Sequence, residues 1–594
     1  MTRSHMCGEL RAKHAGQPVV LQGWVNRRRD LGGLVFVDLR DRTGLVQVVC
    51  EPEAAEAFDV AQTLRSEYVV TVEGTVRERP PGQKSTAPTG LIEVVAEKVE
   101  VLSTAKTPPF LVDGSIDASE VSEELRLRYR YLDLRRPEAL RPLLLRHRAT
   151  KAVWDYLDAR GFVQVETPLL TLSTPEGARD YVVPARTAPG SFYALPQSPQ
   201  LFKQLLMMSG VDRYFQLARC FRDEDLRADR QPDFTQVDME MSFVDQDDVL
   251  ELNEGLMAHV VKATLSVDID TPFQRLSYRD ALDRFGSDKP DLRFGLELED
   301  LTEAFRGSPF RAFAGAVAGG GVVKALVLEA DEAEPVTRKV LADLEDLAKH
   351  HGAAGLAWLR RGDDGFTGPI AKFLGAAELS AAERLAPRAG DLVLLAAGPW
   401  ATTCTAVGAV RSRLGDVLGL KPGSDVLRFL WVVDFPLFEG LDDTGRPIPA
   451  HHPFTMPHAE DLHLLGGSPD ELLDVRSQAY DLVLNGWELG SGSVRIHRRD
   501  IQQRVFDALG ISAEEAQEKF GFLLDAFRYG APPHAGFAFG IDRLVALLLG
   551  EENIREVIAF PKTQSGSDPL TSAPSEIDPE HLEELGLRLL PRST

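Results

Sequence analysis

The sequence predicts a multidomain α+β chain that opens with a small β-barrel. Three observations carry this reading. The 594 residues exceed what one hydrophobic core organises, and chains of this length divide into roughly three or four domains. Five β-rich runs crowd into residues 18–102. Beyond them, helical apolar spacing alternates with strand-like runs, interrupted over 296–420 by a stretch rich in Ala, Gly and Leu.

The β-rich runs are "VVLQGWV", "LVFVDLRD", "LVQVV", "YVVTVEGTV" and "LIEVVAEKVEVL", parted by Gly, Pro or charged turns. Five strands in roughly 85 residues suit a barrel of the OB-fold type. The Pro-rich, polar "STAKTPPFLVDGS" that follows reads as a linker. "LLLRHRATKAVWDYLDARG" has the apolar spacing of a helix ended by Gly161. "FVQVETP" is a strand stopped by Pro168, and "PQLFKQLLMMSG" a short helix ended by Gly210. "AFAGAVAGGGVVKALVL" and "DLEDLAKHHGAAGLAWL" give the 296–420 stretch the look of an α+β insertion.

Composition excludes several classes. No apolar run approaches the ~20 residues of a membrane helix, and the start lacks the apolar core of a signal peptide. Cys7, Cys50, Cys220 and Cys404 form no CxxC pair, which argues against a disulfide scaffold or thiolate zinc site and for a cytoplasmic location. A net charge of −24 alone argues against a nucleic-acid partner. Local clusters oppose it: "NRRRD" at 26–30 and "RLRYRYLDLRRP" at 126–137, each a solvated face or a phosphate-facing patch.

There is no Walker loop and no GxGxxG after a strand, so a nucleotide site, if any, must be built differently, and the polar residues on strand-like segments suggest how. "CFRDEDLRADRQPDFTQVDMEMSF" (220–243) is the best candidate. On a strand, Arg222 and Glu224 would share one face. The guanidinium suits a phosphate, and the carboxylate fixes the Arg or accepts from an amine. Phe234, opening the return strand, offers a ring for stacking. "AFGIDRLVALLLG" adds Gly540 and an Asp542–Arg543 pair opening an apolar helix, and "NGWELGSGSVRIH" adds Glu488, small residues and Arg495. Asp481 and Glu488 are candidate Mg²⁺ ligands, because Mg²⁺ prefers carboxylates together with substrate phosphates.

Together these segments resemble the three motifs of class II aminoacyl-tRNA synthetases. The first is the helix plus "GFVQVETP", the second "FRDE…PDFTQVDME", the third "GIDRLV". With "TPEGARDY", "LPQSPQLFKQ", "FGSDKPDLRF", "HHPFT" and "IREVIAFPK" in the same order, the chain resembles aspartyl-tRNA synthetases of the bacterial type, class IIb, to about residue 575. The resemblance implies an antiparallel six-stranded sheet with flanking helices that binds ATP, and a homodimer formed through motif one. It divides the chain into an anticodon-binding OB-fold (1–104), a hinge (105–135), a first catalytic part (136–295), an inserted bacterial-type α+β domain (296–420), a second catalytic part (421–560) and a C-terminal extension (561–594).

The implied reaction is attack of L-aspartate on the α-phosphate of ATP, then transfer of the aspartyl group to the 3′ end of tRNA(Asp). By resemblance Arg222, Glu224 and Arg543 carry the activation. Arg222 grips the α-phosphate and the substrate carboxylate, Glu224 reads the adenine amine, and Phe234 and Arg543 sandwich the base. Asp223, Gln231, Glu488, Gly540, Ile541 and Asp542 complete the ATP contacts. Lys203 and Arg495 bind the side-chain carboxylate of aspartate, and Asp238 and Glu176 lie near its ammonium. Ser198, Gln200, His451 and His452 line the pocket. In the barrel, Phe36 would stack an anticodon base and Gln47 read its edge, with Arg29, Arg77 and Arg79 as further contacts. The implied partners are tRNA(Asp), L-aspartate, ATP, Mg²⁺ and a second copy of the chain, with no membrane and no DNA.

Two departures stand out. Ser491 replaces the middle of three glycines usual after the Glu488 position. Leu31 stands where relaxed bacterial members often carry His, which points to an enzyme that discriminates against asparagine tRNA. Against an asparaginyl-tRNA synthetase stand Arg495, Lys203 and the long insertion. Against an adenylate-forming biosynthetic paralogue stands the barrel with "GWVNRRRD", and against a non-catalytic relative, the complete set of motif residues.

Overall fold

In the first sheet, alternate residues go to opposite sides. Val19, Leu21 and Val25 of the Pro18–Leu31 strand are buried, as are Val35, Val37 and Leu39 of the Leu34–Asp41 strand. With Gly44–Cys50, Ile92–Ser103 and Val69–Glu78, in that order, they close a five-stranded barrel. Gly32 and Gly33 turn the first hairpin with φ of +62° and +82°, a conformation other residues adopt at a cost. The "NRRRD" cluster therefore stands on a strand, with Arg29 opposite Phe36. A helix, Ala55–Thr63, bridges the third and fourth strands.

The computed structural model describes residues 2–173 and 177–590. They fall into two units: Met1–Arg146 with Leu226–Gln231 and Asn553–Ile577, and His147–Asp225 with Pro232–Glu552 and Asp578–Thr594. In the first unit, the basic run 126–137 folds inward. Arg126, Arg130 and Arg136 converge on the buried Asp133 at 3.7, 2.5 and 3.4 Å. Arg130 also donates to the carbonyls of Ile558 and Ala559, both at 3.0 Å. Arg128 stays on a solvated side, paired with Glu124, and Arg135 reaches Glu67 at 2.7 Å, so the run divides between an exposed side and internal ion pairs. Arg126, through Glu556, and Arg130 hold the 553–577 segment.

The second unit is built on an eight-stranded sheet. Its order is Gln274–Ser277, Phe429–Val433, Ala479–Leu484, Trp487–Val494, His534–Gly540, Asp233–Ser242, Arg213–Phe221, Val163–Gln164. The central six are antiparallel, as expected. The two extra strands pair in parallel at the edges. Parallel pairing joins segments distant in sequence and leaves no hairpin signal to read. "FVQVETP" contributes only Val163 and Gln164 as strand.

A separate five-stranded sheet lies within 296–420, in the order Glu299–Asp300, Val322–Leu328, Leu392–Gly398, Ala357–Gly362, Gly365–Thr367. Val323 and Ala325 enter one apolar cluster, Leu326 and Leu328 the other, so helices cover both faces. Among the described residues, no helix is long and apolar enough to cross a membrane.

Candidate active site

Residues directly opposite on antiparallel strands share a face. Asp238 pairs with Gln216 and Ala538, and Glu240 with Tyr214 and Gly536. Ser491 pairs with Ala538 and Asp481, and Ser493 with Gly536. One face of the central sheet thus carries Phe234, Asp238, Glu240, Asp481, Ser491 and Ser493. Gly536 and Ala538 keep its middle low. A Cβ on Gly536 would stand 1.8 Å from Glu240 Oε2, so only glycine fits there.

Two cations and two carboxylates, all buried, meet on this face. Lys203, from the helix Gln200–Met208, places Nζ 2.8 Å from Asp238 Oδ2 and 3.2 Å from Glu240 Oε2. Arg495 donates Nε and Nη2 to Glu240 at 3.0 and 3.2 Å, and Nη1 to Ser493 Oγ at 2.7 Å. An Arg presents five N–H donors and a Lys three, so each cation keeps donors for a further carboxylate. Burial raises the Glu240 carboxyl, but Arg495 and Lys203 outweigh it and hold the group down to about 2. Burial lifts Asp238 above its ordinary value despite Lys203. The sequence reading brought Lys203, Asp238 and Arg495 to this pocket and missed Glu240. The signal was present, since Glu240 stands two residues beyond Asp238 on the same strand.

Around this cluster, Ser198 Oγ accepts from the Gln200 amide at 3.2 Å. Gln200 Nε2 is buried without a partner among the described residues. The His451 ring meets Phe435 edge-on and His452 stacks on Phe454. Burial holds both imidazoles below their ordinary value, His452 down to about 3 with the charges of Arg495 and Lys203 adding to the effect. Glu176 lies outside the described residues.

A cavity of about 610 Å³ is lined by Gly177, Ala178, Arg179, Arg222, Asp223, Glu224 and Asp225. The strand ends at Phe221, so Arg222 and Glu224 do not share a strand face as the two-residue spacing suggested. They stand on the segment leaving the strand. Asp223 pairs there with Arg179, backbone to backbone at 3.0 Å and side chain to side chain at 3.5 Å. That partner is 44 residues away and invisible to local spacing. The Arg222 guanidinium lies over the Phe234 ring, 5.2 Å from its centre.

Gly540 caps the helix Ile541–Leu549 and pairs with Gln236. Asp542 Oδ2 accepts from the Thr235 amide at 3.2 Å, which ties this helix to the Phe234 strand. Arg543 Nη1 donates to the Glu488 carbonyl at 2.9 Å. Gln231 lies in the first unit. Its side chain donates to and accepts from the Lys562 backbone, at 3.1 and 2.7 Å.

Asp481 is buried, with Oδ1 unpartnered among the described residues. Burial and then the Glu488 charge raise its carboxyl well above the ordinary value. Two carboxylates close enough to feel each other's charge, one with an orphaned oxygen, fit a divalent cation whose other ligands are phosphate oxygens. No group of three or more His, Cys, Asp or Glu among the described residues is placed to hold an ion alone.

In the barrel, four of the five candidate contacts belong to one polar face. Arg29 reaches Asp38 at 2.8 Å and Gln47 at 3.5 Å. Gln47 donates to Glu93 at 2.9 Å, and Arg77 bridges Glu93 and Glu51, each at 2.8 Å. Phe36, half-buried, stands across from Arg29 and next but one to Asp38 on the same face. Arg79 donates to the Ile92 carbonyl at 2.8 Å. Buried Glu93, the acceptor that fixes both Gln47 and Arg77, gave no sign in the sequence beyond an acidic residue inside a strand run.

Residues 122–564 match the family of class II tRNA synthetases (D, K and N), and residues 19–102 match the OB-fold nucleic acid binding domain. The chain is 56% identical to the aspartate–tRNA(Asp/Asn) ligase of Moorella thermoacetica over 594 residues, 100% of this chain and 98% of that protein. It is 56% identical to the aspartate–tRNA ligase of Deinococcus deserti over 590 residues, 99% of this chain and 100% of that protein. Among solved structures, the asparaginyl-tRNA synthetase of Pyrococcus horikoshii complexed with asparaginyl-adenylate superposes with a TM-score of 0.59 at 22% identity, covering 95% of this chain and 99% of that one. At that identity the likeness is one of fold.

Proposed function

The chain belongs to the class II tRNA synthetases that handle aspartate, lysine and asparagine, and from that premise we infer how its site joins aspartate to tRNA. It activates aspartate with ATP and transfers it to tRNA. The observation that carries the residue assignments is the buried pairing of Lys203 and Arg495 around Glu240. Two cations with donors to spare, sharing one fixed carboxylate, bind a second, mobile carboxylate: the side chain of aspartate. Asparagine offers one acceptor and no charge there. Asp238 faces the ammonium, with Ser198, Gln200, His451 and His452 around the substrate.

Arg222, at the cavity and over Phe234, holds the α-phosphate and the reacting carboxylate. The substrate carboxylate is itself the nucleophile, so positioning and charge stabilisation suffice. Phe234 and Arg543 hold the adenine, Glu224 its amine, and the Asp223, Gly540, Ile541 and Asp542 segments frame the nucleotide. Asp481 and Glu488 would hold Mg²⁺, which when bound offsets phosphate charge. Arg29, Phe36, Gln47, Arg77 and Arg79 receive the anticodon of tRNA(Asp). Exposed Trp154, Val163, Leu169, Leu170 and Leu172 support a homodimer. Four buried free cysteines support a cytoplasmic setting.

The test is aspartate-dependent exchange of pyrophosphate into ATP. Wild-type enzyme exchanges, and Arg222→Ala falls by roughly 10²–10³-fold. Exchange that survives the substitution rejects the role of Arg222. Leu31, 62% exposed beside the Gly32–Gly33 turn, supports discrimination between tRNAs. Efficient aspartylation of purified asparagine tRNA would overturn it.

A further inference from the structure

Lys203 holds only one oxygen of Asp238. The other, Oδ1, is buried and unpartnered among the described residues. Beside it stands Tyr214, fully buried, two residues from Gln216 on the neighbouring strand. The register puts Tyr214 opposite Glu240 and Gln216 opposite Asp238, so all four side chains share one face. The Tyr214 hydroxyl lies 2.9 Å from Gln216 Oε1, and the Thr167 hydroxyl reaches the same oxygen at 3.0 Å. With the Gln216 side-chain amide turned end for end, its NH2 stands at that position and donates to both hydroxyl oxygens, and the single Tyr214 proton goes to Asp238. The closeness of Tyr214 to Asp238 also appears in the phenol, pushed well above its ordinary value by burial first and by the Asp238 charge next.

We propose that Tyr214 is a positioning residue for substrate binding: its hydroxyl, supported by Gln216 and Thr167, fixes Asp238 from the side opposite Lys203. Asp238 then meets the substrate ammonium in one rotamer. None of the three touches substrate. The Thr167–Gln216–Tyr214 contacts are in place, and the proposed bond from Tyr214 to Asp238 extends them to the amino-acid pocket. The inference rests on the reading of Asp238 as the ammonium ligand.

The test compares two ligands in wild type, Tyr214→Phe and Thr167→Val by pyrophosphate exchange. One is L-aspartate. The other is succinate as a competitive inhibitor, which has both carboxylates and no amino group. In Tyr214→Phe, KM for aspartate rises roughly tenfold, while kcat, KM for ATP and the succinate inhibition constant hold within about twofold. Thr167→Val shifts KM for aspartate in the same direction and by less. Equal weakening of aspartate and succinate would make Tyr214 a general packing residue and overturn the proposal, as would an unchanged KM for aspartate. A wild-type enzyme without aspartate-dependent exchange would reject the underlying function instead.

Discussion

Glu240 touches both Lys203 and Arg495 and no solvent. Its carboxyl sits at about 2 rather than the ordinary 4.5 because Arg495 and Lys203 overcome the cost of burial. A depressed carboxylate contributes stability that is complete above the unfolded value and lost as pH falls through the folded one. The contribution is therefore whole at neutral pH, weakens below 4.5 and is gone below about 2. Glu240→Gln removes this term. In urea unfolding, the advantage of wild type over the variant should shrink as pH is lowered from about 6 to about 3. An advantage constant across that range would show that the charge does not stabilise the fold. Glu240→Ala goes further, leaving Arg495 buried without its bidentate partner, and should cost about 3–5 kcal/mol.

The strand His534–Gly540 works as an element by being small where its neighbours are polar. Gly536 lies beside Glu240 and Ser493, and Ala538 beside Asp238 and Ser491. A methyl on Gly536 meets Glu240 Oε2 at 1.8 Å and the Met239 carbonyl at 2.5 Å. Gly536→Ala should destabilise by about 1–3 kcal/mol and push Glu240 off Arg495. KM for aspartate would then rise more than KM for ATP in the exchange assay, and equal changes would mean that the strain spreads through the whole sheet. This element also marks what the sequence discloses. "GIDR" and "FRDE" are contiguous, and their residue types already imply phosphate and carboxylate chemistry. The barrel strands announced themselves through alternation. Contacts made across strands did not. The clash that demands Gly536 comes from a residue 296 positions earlier, and the end of the strand at Phe221 is set by the Asp223 pairing with Arg179. The inward turn of Arg130 depends on carbonyls of Ile558 and Ala559. Each of these is fixed by tertiary partners, which periodicity cannot report.

At the scale of the whole molecule, a net charge of −24 must be reconciled with a polyanionic partner. The barrel does so locally. Arg29, Arg77 and Arg79 stand on or beside the face that carries Phe36 and Gln47, and buried Glu93 fixes Gln47 and Arg77 instead of repelling the ligand from the surface. Pre-set donors lose less freedom on binding than free side chains. In the proposed reaction, amino-acid activation involves no anticodon. Phe36→Ala should therefore leave aspartate-dependent pyrophosphate exchange unchanged and raise KM for tRNA(Asp) by roughly 5–100-fold, the range expected for one lost base stack. Arg77→Ala, which loses a cation but no stacking ring, should weaken tRNA binding less and flatten its salt dependence. If both variants lost exchange activity in parallel with aminoacylation, the barrel would be a structural support for activation and not the seat of anticodon recognition. If neither variant changed KM for tRNA, the anticodon would be read by another surface of the molecule.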